Sequence, residues 1–485
     1  MRSRQRQLIE LAGVASLAGL NNGWSLKVGG FVLSRLDEAS QTDVDGILIG
    51  SAILVGAIVG ALGSGLMIAQ FGIRGSAIVG ESIVITGTLV GVAAPNRPAL
   101  IVWRLISGLG VGLCITAKPI FIVATSEPAY RGRLLALMTA MFAIAFALAE
   151  AADWMLPEPH DGDESWRALI AMGLPAPMLL CCLMATLSEP ASPSSAKGTM
   201  GESTPLQAES TKVQTSLEDP KSATGSSSSS SSMSSGGGGG DGESGSDSAP
   251  PSIAYGPLGL SGMMATLVLA KEIIGGNILL VYAFDYLDHG LLQEAAAGGE
   301  GGDDADVSQR SRATAHLAGL VVAGVFVVSG AAGVALVDHP SGGRRLLAIG
   351  GTAGSALACL LISIAFWMRD GGSTDGGAAA ARLLPIALVL HACTSTFVQV
   401  AFYPLTTELM PPRLRSSWLG VVYAAAQAIA FVMITIGGAC EPSDAANGVL
   451  FLVLGLGSAA CALVFSLWLV ETRPPPPPPP PAMTG

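Results

Sequence analysis

Residues 46–73 read GILIGSAILVGAIVGALGSGLMIAQFGI, a run with no Asp, Glu, Lys or Arg. A bilayer core about 30 Å thick is crossed by roughly 20 apolar residues in a helix, and this run exceeds that length. Six more charge-free runs follow, at 168–188, 317–337, 346–368, 383–407, 416–440 and 445–470. Five further apolar stretches are interrupted by isolated ionisable residues. They lie at about 9–34 (Lys27), 75–96 (Glu81), 98–125 (Arg104, Lys118), 133–156 (Glu150, Asp153) and 257–284 (Lys271, Glu272). The expected count is twelve spans, six before residue 190 and six after 255. Composition agrees: only 13% of the 485 residues are charged, against about 25% in soluble proteins. No set of water-soluble domains hides that much apolar surface, and disorder is excluded for most of the length. The reading is an all-α membrane protein of two six-helix bundles.

Four segments follow: 1–189, the first bundle; 190–254, a linker; 255–473, the second bundle; 474–485, a tail. Ser226–Ser232 and Gly236–Gly240 make the linker low in complexity, so it cannot bury enough apolar area to offset its ordering entropy and reads as disordered. Pro474–Pro481 reads as a polyproline II rod. The start, Met1-Arg-Ser-Arg-Gln-Arg6, imitates a secretory signal, but no convincing cleavage site follows and it reads as a retained first span. Lys and Arg concentrate about twofold on one side of the resulting topology, including Arg131, Arg344, Arg345 and Arg415. The positive-inside rule makes that side cytoplasmic, with both termini on it; plasma and vacuolar membranes both remain open. The seven cysteines show no metal-type spacing and read as small buried residues. Nothing points to a metal or cofactor, no nucleophile–base or phosphate-loop motif marks an enzyme, and a net charge of −11 argues against nucleic acid.

Small residues four apart let membrane helices approach closely. Ala52, Gly56, Gly60 and Ser64 form one such stripe on the second span, and Arg104, Gly108 and Gly112 another on the fourth. Their order along the chain is more specific than either stripe. Arg104-x-x-x-Gly108-x-Gly110-x-Gly112 is followed by Pro119-Ile-Phe121, Pro128 and Arg131-Gly132; Glu408-Leu-Met-Pro411-Pro-Arg413-Leu-Arg415 occurs in the second half. Gly333…Asp338-His-Pro-Ser-Gly-Gly343-Arg344-Arg345 and Glu471-Thr472-Arg473 complete the set. In these motifs the chain resembles the sugar porter family of the major facilitator superfamily, and Gly23-Trp24 with the long polar central loop bring it nearest to plant-type tonoplast monosaccharide transporters.

The resemblance implies two halves that rock about a midplane site and expose it to each side in turn. The implied solute is a monosaccharide or related polyol, moved either actively with protons or by facilitation. Salt bridges among Arg131, Asp338, Arg344, Arg345, Glu408 and Arg415 are implied to hold the cytoplasmic ends together when that side is shut. The implied substrate positions are Thr139, Lys271, Glu272, Asn277 and Tyr403. Here the chain departs from the family, since Lys271-Glu272 stand where it has two glutamines. Proton-linked members pair the fourth-span arginine with an aspartate in the first span; here Ser25 stands near that position, so Arg104 and Ser25 form a coupling site without its carboxylate. Glu81, Glu150 or Glu272 could carry the proton instead. In the first-half loop Ala69 and Gln70 replace Asp and Arg, and Ala124 replaces a Glu, which weakens that half's gate. Two alternatives stay open. Lys27, Lys118 and Lys271 against Glu272 would suit a small organic anion, unless Lys27 and Lys118 snorkel to the interface. The rewritten glutamines would also suit a sensor that does not transport. His391, deep in a span, reads as a packed histidine.

Overall fold

The computed structural model describes residues 2–36, 43–156, 164–190, 255–273, 304–339, 343–371, 374–412, 414–440 and 443–472. The linker from 191 to 254, the tail from 473, Asn277 and Arg413 lie outside these residues. Every regular element described is a helix: α1 (Arg2–Ser34), α2 (Asp43–Val92), α3 (Arg97–Thr125), α4 (Pro128–Met155), α5 (Ser165–Ala171), α6 (Pro175–Thr186), α7 (Pro257–Ile273), α8 (Asp304–Leu336), α9 (Gly343–Asp370), α10 (Thr374–Leu409), α11 (Arg415–Cys440) and α12 (Asp444–Trp468). Among the described residues nine helical stretches are long and apolar enough to cross a membrane. α2 holds two crossings, and α5 with α6 makes one. The described residues of 1–190 and 251–485 belong to one compact unit.

The second and third spans are one element bent at a single residue. Gly72 has φ 75°, in the left-handed region that glycine enters without steric cost. Its freed neighbours find an acceptor, since the backbone N–H groups of Ile73 and Arg74 donate to Glu189 at 2.6 and 3.1 Å. The Arg74 guanidinium crosses to the carbonyls of Met184 and Ala185, both at 2.7 Å. The sixth span breaks just before Pro175, which has no N–H to continue α5.

The two small-residue stripes pack on each other. A Cβ at Gly56 would lie 2.3 Å from the Leu105 carbonyl oxygen, and one at Gly108 2.1 Å from that of Ile53. α2 and α3 therefore touch backbone to backbone. In lipid no hydrophobic drive separates helices from their solvent, so such close dispersion contact is what holds them. Leu62 and Leu66 on α2 are left more than half exposed, an apolar surface suited to acyl chains.

Two seams join the halves. On one, Gly65 of α2 faces Ser417 of α11, and Gly420 packs on the Ala61 carbonyl. Further along it, Ile53 and Leu54 cluster with Ala430 and Ile434. On the other, Gly330 of α8 lies against Ala140 of α4. Both described chain ends sit at one end of the bundle: Arg4 pairs with Glu127, and Thr472 accepts from Arg344 at 3.2 Å. This end, rich in arginine, is called the basic end below.

Candidate functional site: a polar cavity between the halves

Between the seams lies a cavity of about 790 Å³, its open mouth included. Its polar wall consists of Asn22 (α1), Thr139 (α4), Lys271 (α7), Gln399 and Tyr403 (α10) and Gln427 (α11). Phe142, Val111 and Ile115 supply apolar surface. Donors and acceptors thus come from both halves. Thr139 Oγ1 donates across the divide to the Gln399 carbonyl at 3.4 Å. The Tyr403 ring meets Phe402 and Tyr423 edge-on, with centroids 5.6 and 5.8 Å away.

Of the expected substrate positions, Thr139, Lys271 and Tyr403 line this cavity. Glu272 does not: its side chain is wholly buried and meets Lys271 Nζ instead. Asn22, Gln399 and Gln427 were missed. A signal was present, because Gln399 is the only Asn or Gln in 383–407 and Gln427 the only one in 416–440. An amide within a charge-free span is costly against lipid, so it faces protein or a cavity.

Internal cations are balanced one by one. Lys118 and Glu81 are both fully buried and paired at 2.5 Å, with Asn21 Nδ2 donating to the other Glu81 oxygen at 2.8 Å. Lys27 faces Glu150 at 3.6 Å and stands over the Phe31 ring. Lys271 pairs with Glu272. The snorkelling expected of Lys118 is therefore corrected, because Glu81, 37 positions earlier, meets it inside the bundle. The positive excess inferred from the three lysines disappears as well, since two of the balancing carboxylates sit on spans left out of that count. Tyr403 lies within electrostatic range of Lys118, Lys271 and Glu272.

Arg104 is the exception. Its buried guanidinium donates to four carbonyls: Ser25 at 2.5 Å, Ile49 at 3.0 Å, Gly50 at 3.3 Å and Leu26 at 3.4 Å. Gly29 makes room for it; a Cβ there would lie 2.2 Å from Nη2. Ser25 thus meets Arg104 through its backbone, while its hydroxyl turns to Asn21 at 3.4 Å. Among the described residues no carboxylate pairs with Arg104.

At the basic end Asp338 is the bridge between halves. It accepts from Arg344 Nη2 and from the Arg133 backbone N–H, both at 3.1 Å, and the Arg133 side chain lies 3.9 Å away. Gly132 packs directly on this carboxylate. Arg344 also pairs with Glu408. Three arginines depart from the expected bridges. Among the described residues, Arg131 and Arg415 reach only the carbonyls of Ser126 (3.2 Å) and Met410 (3.3 Å). Arg345 reaches Ser466 O at 2.8 Å, and its backbone N–H donates to Glu471. The reason is local: Ala69 and Ala124 offer no charge, Glu408 is taken by Arg344, and Glu127 by Arg4.

Two helical halves enclosing a polar chamber, with a charged contact at one end, make up the described membrane-type fold. A solved structure of the major facilitator superfamily proton:xylose symporter XylE, bound to 6-bromo-6-deoxy-D-glucose, superimposes with a TM-score of 0.70 over 97% of both chains, at 19% identity. The inward-open form of the xylose transporter XylE from E. coli gives 0.59 over 96% of this chain and 97% of that one, also at 19% identity. At such identity the likeness is one of fold. The family model "Sugar (and other) transporter" matches residues 11–222. The galactose-proton symporter of Escherichia coli (strain K12) is 30% identical over 166 residues, 32% of this chain and 36% of that protein. Monosaccharide-sensing protein 2 of Arabidopsis thaliana is 28% identical over 195 residues, 38% of this chain and 25% of that protein. The matched stretch thus spans about a third of the first of these relatives and a quarter of the second. The described spans make the chain a multi-pass membrane protein, and over residues 11–222 it is similar to the sugar transporter family.

Proposed function

We propose that this protein carries a monosaccharide or related polyol across its membrane by alternating access, without a coupled proton. The observation that carries the first part is the cavity wall. Asn22, Thr139, Gln399, Tyr403 and Gln427 present neutral donors and acceptors from both halves, the chemistry that recognises hydroxyl groups. Lys271 enters already neutralised by Glu272, which disfavours a free organic anion as solute. Names of relatives such as the galactose-proton symporter support the sugar class. Arg104 supports the second part: four carbonyls satisfy it with no titratable partner among the described residues. Asn277 and Glu272 complete the proposed substrate machinery, Glu272 by holding Lys271 in place. Asp338, Arg344 and Glu408 close the cytoplasmic side, with Arg131, Arg345 and Arg415 beside them.

Uptake of labelled hexoses into proteoliposomes tests this. Equilibrating hexose flux that is indifferent to an imposed pH gradient is expected. Accumulation driven by the gradient would overturn the facilitative reading, and flux of organic anions alone would overturn the sugar reading. Saturable hexose binding with no flux of any solute would make the chain a sensor.

A further inference from the structure

We infer that Asn21, which does not line the cavity, is a positioning residue for the solute: it fixes the turn of α1 that presents the Asn22 amide to the cavity. This rests on the sugar reading above. Asn22 is the polar wall residue that α1 supplies, and it is more than nine-tenths buried. Its Oδ1 has no hydrogen-bond partner among the described residues. A buried polar atom left in that state costs stability. A solute hydroxyl both donates and accepts, so it can satisfy either end of the amide, whose last torsion is broad.

The cavity face of α1 carries Gly19, Asn22 and Leu26, the three- and four-residue spacing of one side of a helix. Asn21 stands one position back, about 100° round the axis, and is almost wholly buried. Its Nδ2 donates to Glu81 at 2.8 Å, and its Oδ1 accepts from the Ser25 hydroxyl at 3.4 Å. The two ends of this amide are fixed, because a carboxylate only accepts. Lys118 holds Glu81 in turn at 2.5 Å, with both side chains fully buried, so the anchor cannot follow a moving α1. Such an anchor is needed. Towards α4 the helix presents glycines: a Cβ at Gly19 would lie 2.2 Å from the Met138 carbonyl oxygen, and one at Gly23 2.5 Å from that of Phe142. Contact of this kind brings backbones close but offers no side chain that interlocks against rolling. A roll of α1 would turn the Asn22 amide off the wall.

The test measures equilibrium binding by the purified full-length chain. The probe is the tightest binder among labelled D-glucose, D-galactose, D-mannose and myo-inositol, competed by its own monodeoxy analogues. The wild type should bind one such analogue about tenfold more weakly than the parent, the loss expected for one hydrogen bond. Asn22→Ala should bind that analogue and the parent alike. Asn21→Ala should lose the same discrimination, at the same hydroxyl. Asn21→Ala/Asn22→Ala should bind no more weakly than Asn22→Ala, because residues that act as one unit are not additive. A purely structural part for Asn21 would weaken all analogues equally, with effects that add. If Asn21→Ala fails to fold, Glu81→Leu/Lys118→Met decides: it removes the acceptor for Asn21 and should lose the same discrimination. Discrimination that survives in these variants, or additive effects, overturns the positioning and leaves the sugar reading standing. No binding of any of the four solutes by the wild type overturns both.

Discussion

Replacing Glu81 by Gln isolates an internal charge pair in which both side chains are fully buried. The change is nearly isosteric, and the bond from Asn21 can persist on the amide oxygen, so the loss falls on Lys118. At the observed 2.5 Å, Coulomb's law with an effective dielectric of about 20 gives roughly 7 kcal/mol of attraction. Part of this is offset by the cost of having desolvated both groups. Removing one partner of a buried pair typically destabilises by about 3–5 kcal/mol, because the other charge is left uncompensated. Lys118 is fully buried and cannot reach water without moving α3. Glu81→Gln should therefore lower the melting temperature of the detergent-purified protein substantially. Glu81→Leu/Lys118→Met should recover most or all of the wild-type value, since apolar replacement of a buried pair is often neutral or better. Equal stability of Glu81→Gln and wild type would refute the reasoning, and so would a double variant weaker than the single.

Gly108→Val should prevent α2 and α3 from closing, because its Cβ would lie 2.1 Å from the Ile53 carbonyl; overpacking of this kind costs about 1–3 kcal/mol or more, seen as loss of monodisperse protein on size exclusion. Arg104→Lys keeps the charge but supplies three donors to four carbonyls, so a lower melting temperature is expected. Gly132→Ala should displace Asp338 and loosen the basic end, lengthening the distance between spin labels at Leu66 and Trp418.

Much of the fold is visible in the sequence because lipid imposes a simple rule: a run such as 46–73 has one solvent in which it is stable. The boundary near Arg74 is visible too, but the sharp bend at Gly72 is not, since the Glu189 carboxylate that accepts from the freed N–H groups lies 117 positions away. The site divides in the same way. Thr139, Lys271 and Tyr403 reach the cavity wall from motif positions, whereas Asn22, Gln399 and Gln427 carry no motif and show themselves only as amides stranded in apolar spans. Pairing was the least legible property. That Glu81 faces Lys118, and Glu150 faces Lys27, depends on the rotation of each helix about its axis, which small-residue contacts elsewhere decide.

Alternating access, as proposed for this chain, requires the halves to part at the basic end in each cycle. Gly65→Cys/Ser417→Cys tests this directly, because a Cβ at position 65 would lie 3.5 Å from that of Ser417, within the range a disulfide spans. Oxidation should cross-link the pair and abolish hexose uptake in proteoliposomes, reduction should restore it, and either single variant should be unaffected. Undiminished uptake by fully cross-linked protein would contradict the account.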